Sequence, residues 1–178
     1  MKNSNFAATQ QDYRDHAFYF VTLYTRERKP LFKTYPALRK LTEHRWRTLM
    51  DMYTLVQSAE YSMKTNVFHA IVKIRRFQAY EALPLIGEGF LKELTEEAKR
   101  LPARVLEHTL DFFRATTTDE WADLIKTDQQ KAEPEIPAHE SSNFWKADYR
   151  VTPINDLEEL NELRQYILTN ILKGGMYE

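Results

Sequence analysis

The chain has 178 residues, 43% of them apolar and 29% charged, with a formal net charge of −1 and no cysteine. These totals fit one soluble globular domain with a sizeable core. They exclude disulfides, thiolate metal sites and a cysteine nucleophile, and no apolar run approaches the roughly 20 residues of a membrane span.

In chain order, the opening MKNSNFAATQQDY has no apolar core, so a secretory signal is not expected and the cytoplasm is the expected location. His16–Tyr24 (HAFYFVTLY) is dense in aromatic and β-branched residues and free of Gly and Pro, which predicts a buried strand. TRERKP follows as a basic turn, closed by Leu31 and Phe32. From Ala37 to about Tyr53, Leu38, Leu41, Trp46, Leu49 and Met50 recur at helical spacing. Strands are expected at Val56–Ser62 and Val67–Ile74, joined as a hairpin through the short MKTN. Phe90–Ile125 reads as helical with a break at Pro102. Residues 128–143, polar and carrying two prolines, read as a flexible loop within a single domain spanning 1–178. An extended piece at Phe144–Ile154 leads to a last helix, Leu157–Leu172. Asn155 is its expected N-cap, Glu158 stands three residues on, and Gly174 is placed to end it. This order predicts an α+β domain, an antiparallel sheet with helices packed on one face.

Charge is divided unevenly. Residues 1–76 carry 14 Lys/Arg against 6 Asp/Glu, and the remainder carries 11 against 20. Such asymmetry suits a basic face for phosphates, with Arg26, Arg28, Lys29, Lys33, Arg45, Arg47, Lys64, Lys73, Arg75 and Arg76 as candidate contacts. It equally suits a dipolar surface with no partner.

Three places could carry chemistry. On a strand, Val67, His69, Ile71 and Lys73 share one face, and His69 there is either a ligand or a hydrogen-bonded structural histidine. Tyr166 and Asn170 lie one turn apart on the shoulder of the stripe Leu160, Leu163, Ile167 and Ile171, at the edge of a cleft or simply of the core. Trp145–Tyr149 (WKADY), with Lys146 and Arg150, fits either base stacking and phosphate contact, with Trp145 as the stacking platform, or a core strand.

Together the segments YFVTLYTRERKPLF (19–32), TNVFHAIV (65–72), HTLDFFRATTTDEW (108–121) and FWKADYRVTPINDLEELNELRQYILTN (144–170) resemble the REP-associated tyrosine transposases. These belong to the HUH (His-hydrophobic-His) single-tyrosine transposases. The resemblance implies a ferredoxin-like, RRM-like sheet and a metal-dependent endonuclease acting on single-stranded DNA through a phosphotyrosine. By position, Tyr166 falls on the nucleophile, Asn170 on the polar metal ligand one turn later, and His69 on the second histidine of the motif. The first histidine is replaced by Val67, and Asn66 before it faces the opposite side of a regular strand from His69. Ile171 replaces the family's proline, and Thr152 stands where the family often has histidine. The implied cofactor is a divalent cation, Mg²⁺ or Mn²⁺, held weakly or not at all without a donor at Val67. The implied partner is hairpin or single-stranded DNA. Three readings stand: an enzyme that nicks and rejoins DNA with impaired cleavage, an inactive module binding a DNA or RNA hairpin, and a protein that keeps only the scaffold.

Overall fold

The structure is a computed structural model, and residues 10–52, 55–76, 88–128 and 143–174 are described. A short helix α1 (Gln10–Asp15) leads into strand β1 (His16–Tyr24), whose bounds match those expected from its aromatic and β-branched run. A single 3₁₀ turn at Arg26–Arg28 and the short helix α2 (Leu31–Thr34) precede helix α3 (Pro36–Met52). Strands β2 (Val56–Met63) and β3 (Val67–Arg75) form the expected hairpin. Its turn is closed by the Lys64 N–H donating to the Val67 carbonyl at 2.9 Å. Helix α4 runs from Glu88 to Asp128, strand β4 is Arg150–Ile154, and helix α5 is Leu157–Gly174.

The sheet order is β2-β3-β1-β4, with every neighbouring pair antiparallel. Together with the chain order this is the split βαβ arrangement of ferredoxin-like folds. The architecture is α+β, an antiparallel sheet with helices packed on it, as expected.

The helices are not confined to one face. Along β1, Ala17, Tyr19, Val21 and Leu23 join the large core cluster with α3 and α4, including Leu38, Trp46, Leu110 and Phe113. The alternate residue Phe18 joins Ile71, Ile154, Leu160 and Ile167 in a second cluster under α5. Side chains alternate across a strand, so the two clusters lie on opposite faces and the domain has three layers. The physical reason is in β1 and β3 themselves: Phe18, Phe20 and Ile71 make the second face apolar too, and it needs a cover.

Pro102 does not break α4. It removes one backbone donor. Leu106, Leu110, Phe113, Trp121 and Ile125, all buried beyond it, hold the helix on the sheet. The cap of α5 is also displaced by one residue. The Glu159 N–H donates to Asp156 Oδ1 at 2.8 Å, and Glu159 Oε2 accepts from the Asn155 N–H at 2.9 Å, so Asp156 rather than Asn155 is the N-cap. The loop expected at 128–143 falls, apart from its two end residues, outside the described residues.

Strand β2 contains an irregularity that changes which residues face α5. Ser58 pairs with Val72 and Glu60 with Ile71, so Ala59 is an extra residue. A bulge of one residue reverses the alternation beyond it. It turns Tyr61 and Met63 toward α3 and α4, and Glu60, Ser62 and Lys64 toward α5.

Candidate functional site

On the α5 face, strand register brings Ser62, His69 and Thr22 into one row across β2, β3 and β1. His69 is only 7% exposed. Its Nδ1 lies 3.1 Å from Thr22 Oγ1, and its Nε2 lies 3.5 Å from the hydroxyl of Tyr166 on α5. Phe20 stacks on the imidazole with ring centroids 5.4 Å apart, and meets Tyr166 edge-on at 6.3 Å. Burial pushes His69 down from its ordinary value to about 4, and the Lys64 ammonium adds to the depression. The ring is therefore neutral at physiological pH. With its proton on Nδ1, donated to Thr22, the Nε2 lone pair faces the Tyr166 hydroxyl.

Tyr166 itself is 42% exposed, so its ring opens to solvent while its hydroxyl reaches the buried histidine. Lys64 Nζ lies 5.3 Å from the centre of that ring. Asn170, half-buried one turn further along α5, has a side-chain nitrogen buried without a hydrogen-bond partner. Ser62 Oγ, also buried, has none either. Tyr166 and Asn170 on α5 and His69 on β3 are thus carried by elements that pack together.

Beside this row stands a buried ion pair. Arg164 donates to Glu60 Oε1 through Nε at 2.7 Å and lies 2.6 Å away through its terminal nitrogen, and each side chain is 14% exposed. Glu60 and Thr22 contribute to this face although nothing in their own residue types marks them. Glu60 arrives through the β2 bulge and Thr22 through cross-strand register, both of which are set by pairing rather than by local sequence.

The basic residues do not form one face. Arg26, Arg28, Lys29, Lys33 and Lys64 gather at one end of the sheet, because the 25–33 turn is tied to the β2–β3 turn. Thr25 N–H donates to the Asn66 carbonyl at 3.0 Å, Phe32 N–H to Thr65 at 3.0 Å, and the Asn66 amide to the Arg28 carbonyl at 3.0 Å. Glu27 and Arg28 both have φ of 54°, a left-handed conformation that costs non-glycine residues energy and here bends the basic turn back over the sheet. Glu27 offsets part of this charge, lying 3.8 Å from Arg26 and 3.5 Å from Lys29. Arg75 and Arg76 stand at the other end of β3, about 20 Å from His69 by strand rise.

Arg45 pairs with Glu120, and Arg47 donates to the Tyr61 hydroxyl at 2.7 Å, both from α3 on the opposite side of the sheet. Lys73 lies on the α5 face but is 7% exposed. Trp145 is a core residue, not a stacking platform. It is 2% exposed, meets Phe32, Phe113 and Phe144, and donates its indole N–H to Thr117 at 2.9 Å. The rest of that segment is clamped by Arg114, which donates to the carbonyls of Lys146 and Ala147 and lies 5.2 Å from the Tyr149 ring centre.

The donors present do not fit a divalent cation held by three protein groups. His69 Nε2 and the Asn170 amide are two, while Val67 is buried and offers no lone pair. Among the described residues no three His, Asp or Glu side chains gather as a ligand set. The side chain across the strand from Val67 is Lys64, whose charge opposes a cation.

No protein-family profile matches the sequence, and no curated protein matches it. Among solved structures the chain is similar to a REP-associated tyrosine transposase bound to a REP hairpin. The identity is 12% and the TM-score 0.44, over 90% of this chain and 70% of that one. It is also similar to a candidate transposase from Deinococcus radiodurans R1, at 12% identity and a TM-score of 0.35, over 87% of this chain and 91% of that one.

Proposed function

We propose that the chain is a transposase-like protein that engages hairpin or single-stranded DNA at the Lys64 end of the α5 face, with Tyr166 as the nucleophile for strand cleavage and rejoining. The observation that carries this reading is the Tyr166 hydroxyl, 3.5 Å from Nε2 of a buried neutral histidine yet mounted on an exposed ring. In the reaction the tyrosine oxygen attacks phosphorus, a phosphotyrosine bond forms and the bond to the 3′-oxygen breaks. The phenol gives up one proton and the departing 3′-oxygen takes one up. One phosphodiester is exchanged for another, and rejoining runs the same steps backwards. His69 accepts the tyrosine's hydrogen bond and orients its hydroxyl, and Thr22 fixes the imidazole.

Cleavage is expected to be weak. Losing even an outer-shell partner typically costs about 10–100-fold in metal affinity or activity, and Val67 removes a direct ligand of the motif that the sequence resembles. The test is to incubate hairpin single-stranded DNA and Mn²⁺ with wild type, Tyr166→Phe, Val67→His and the double variant, and to resolve covalent protein–DNA adducts. A faint wild-type adduct that disappears with Tyr166→Phe and strengthens with Val67→His is expected. An adduct that survives Tyr166→Phe would show a different nucleophile. A second reading, a hairpin-binding module that no longer cuts, is favoured by Val67 itself; it predicts binding with no adduct in any variant.

A further inference from the structure

We infer that the Tyr166 site takes a nucleic-acid phosphate without a divalent ion, the ammonium of Lys64 and the guanidinium of Arg28 supplying the positive charge from the two flanks of Val67. This rests on the reading of the chain as a DNA-binding transposase-like protein and names how its site holds the phosphate.

The argument begins with register. Val67, which occupies the position of the missing histidine, is paired on one side with Tyr24 of β1. On its other side the turn hydrogen bond sets it opposite Lys64, the residue after β2. All three residues project from the α5 face, Lys64 because of the bulge at Ala59. The Lys64 ammonium stands 5.3 Å from the centre of the Tyr166 ring. On the far flank the Arg28 guanidinium lies 4.8 Å from the centre of the Tyr24 ring, in a turn whose left-handed backbone is pinned by Asn66. Two cations therefore flank the buried Val67, one of them beside the Tyr166 ring. That arrangement is repulsive for a metal ion and suits an anion.

Two of the unpartnered polar atoms agree. Ser62 is 3% exposed with its hydroxyl unsatisfied, and the Asn170 side-chain nitrogen is buried and unsatisfied; both are able to donate to phosphate oxygens. The nearby carboxylate, Glu60, is paired with Arg164 through Oε1, while its Oε2 is buried without a partner. Arg150, paired with Thr22 at the edge of the same row, adds a third positive charge to this end of the face. Lysine and arginine differ here in kind: the ammonium is a compact point charge and the guanidinium a planar fork.

The experiment measures hairpin single-stranded DNA binding across a salt series, once with chelator and once with Mn²⁺, for wild type, Lys64→Met, Lys64→Arg and Arg28→Met. Wild-type affinity is expected to be the same with chelator as with Mn²⁺. Lys64→Met and Arg28→Met should each weaken binding and flatten the dependence of log affinity on log salt by about 0.7. Lys64→Arg should restore the slope, which a merely structural role for the lysine would not do. Binding that requires Mn²⁺, or a salt slope unchanged in Lys64→Met, overturns the inference while leaving the DNA-binding reading intact. Wild type that binds no hairpin under either condition overturns both.

Discussion

The two faces of the sheet are built from the same four strands and do opposite things. Toward α3 and α4 the cluster is mainly apolar and knitted by aromatic contacts, and its buried threonines Thr42, Thr109 and Thr117 donate to helix carbonyls. Trp46 meets Phe68 at 4.9 Å and Phe113 at 5.1 Å between ring centres, and its indole N–H donates to Ser58. Toward α5, only one end is apolar, where Phe18, Ile71, Ile154, Leu160 and Ile167 meet. The other end carries Thr22, Ser62, His69, the Glu60–Arg164 pair, Tyr166 and Asn170, with polar atoms left unpaired. One face is closed by apolar packing, and the other leaves buried polar atoms unpaired. Unsatisfied buried polar atoms are costly, and among the described residues Glu60 Oε2, Ser62 Oγ and the Asn170 side-chain nitrogen belong to α5 or the strand face beneath it, against Arg114 Nε alone on α4.

Substitutions can break this contrast. The largest effect is expected from the core face. Phe113→Ala removes a fully buried ring that touches Trp46, Phe68 and Trp145, and should cost about 3–5 kcal/mol by denaturant unfolding. With total stabilities of order 5–15 kcal/mol, that leaves little margin. A loss below about 1 kcal/mol would mean that this face does not carry the fold.

Acid should act through the other face. His69 is held at about 4 by burial and by Lys64, against an ordinary value of 6.5. Its folded-state pKa lies below its unfolded one, so the unfolded chain binds more protons between those values. The stability that goes with the neutral ring is present above about pH 6.5 and is lost as pH falls toward 4. The total is on the order of 3 kcal/mol. Chemical unfolding of wild type and His69→Gln at pH 7 and pH 4.5 checks this. The variant should lose less on acidification, and parallel losses would remove His69 as the cause.

The smallest stability effect is expected at Tyr166, the proposed nucleophile. The Tyr166 hydroxyl makes a 3.5 Å contact from an exposed ring, so Tyr166→Phe should change stability by less than about 0.5 kcal/mol. Thermal unfolding of the two proteins side by side measures it. A loss above about 1 kcal/mol would make the tyrosine a structural residue and undo the division between the two faces.

How much of this was legible without the fold depends on the reach of each signal. The run HAFYFVTLY declares a strand through residue type alone, and its bounds agree with β1 to the residue. The i, i+4 spacing of Tyr166 and Asn170 places them on one side of a helix wherever that helix packs. His69 shares a strand face with Val67 and Ile71, as expected, because a strand's alternation is local. Trp145 failed as a stacking residue because burial belongs to neighbours far along the chain, here Phe32, Phe113 and Thr117. The basic half failed as one surface because α3 takes Arg45 and Arg47 behind the sheet while β3 carries Arg75 some 20 Å away from the site.

By itself, then, the sequence determined the strands β1 to β3, the long helical stretches and the side of α5 that bears Tyr166 and Asn170. All of these follow from periodicity over a few residues. Only the tertiary structure decided which side chains stand around that tyrosine. A single extra residue at Ala59 reverses the facing of everything after it in β2, and this reversal brings Glu60, Ser62 and Lys64 to the site. Pairing across β1, β3 and β2 sets Thr22, His69 and Ser62 in a row, and two turns tied by hydrogen bonds set Arg28 and Lys64 on either side of Val67. Register is a relation between strands distant in the chain, and no local pattern encodes it.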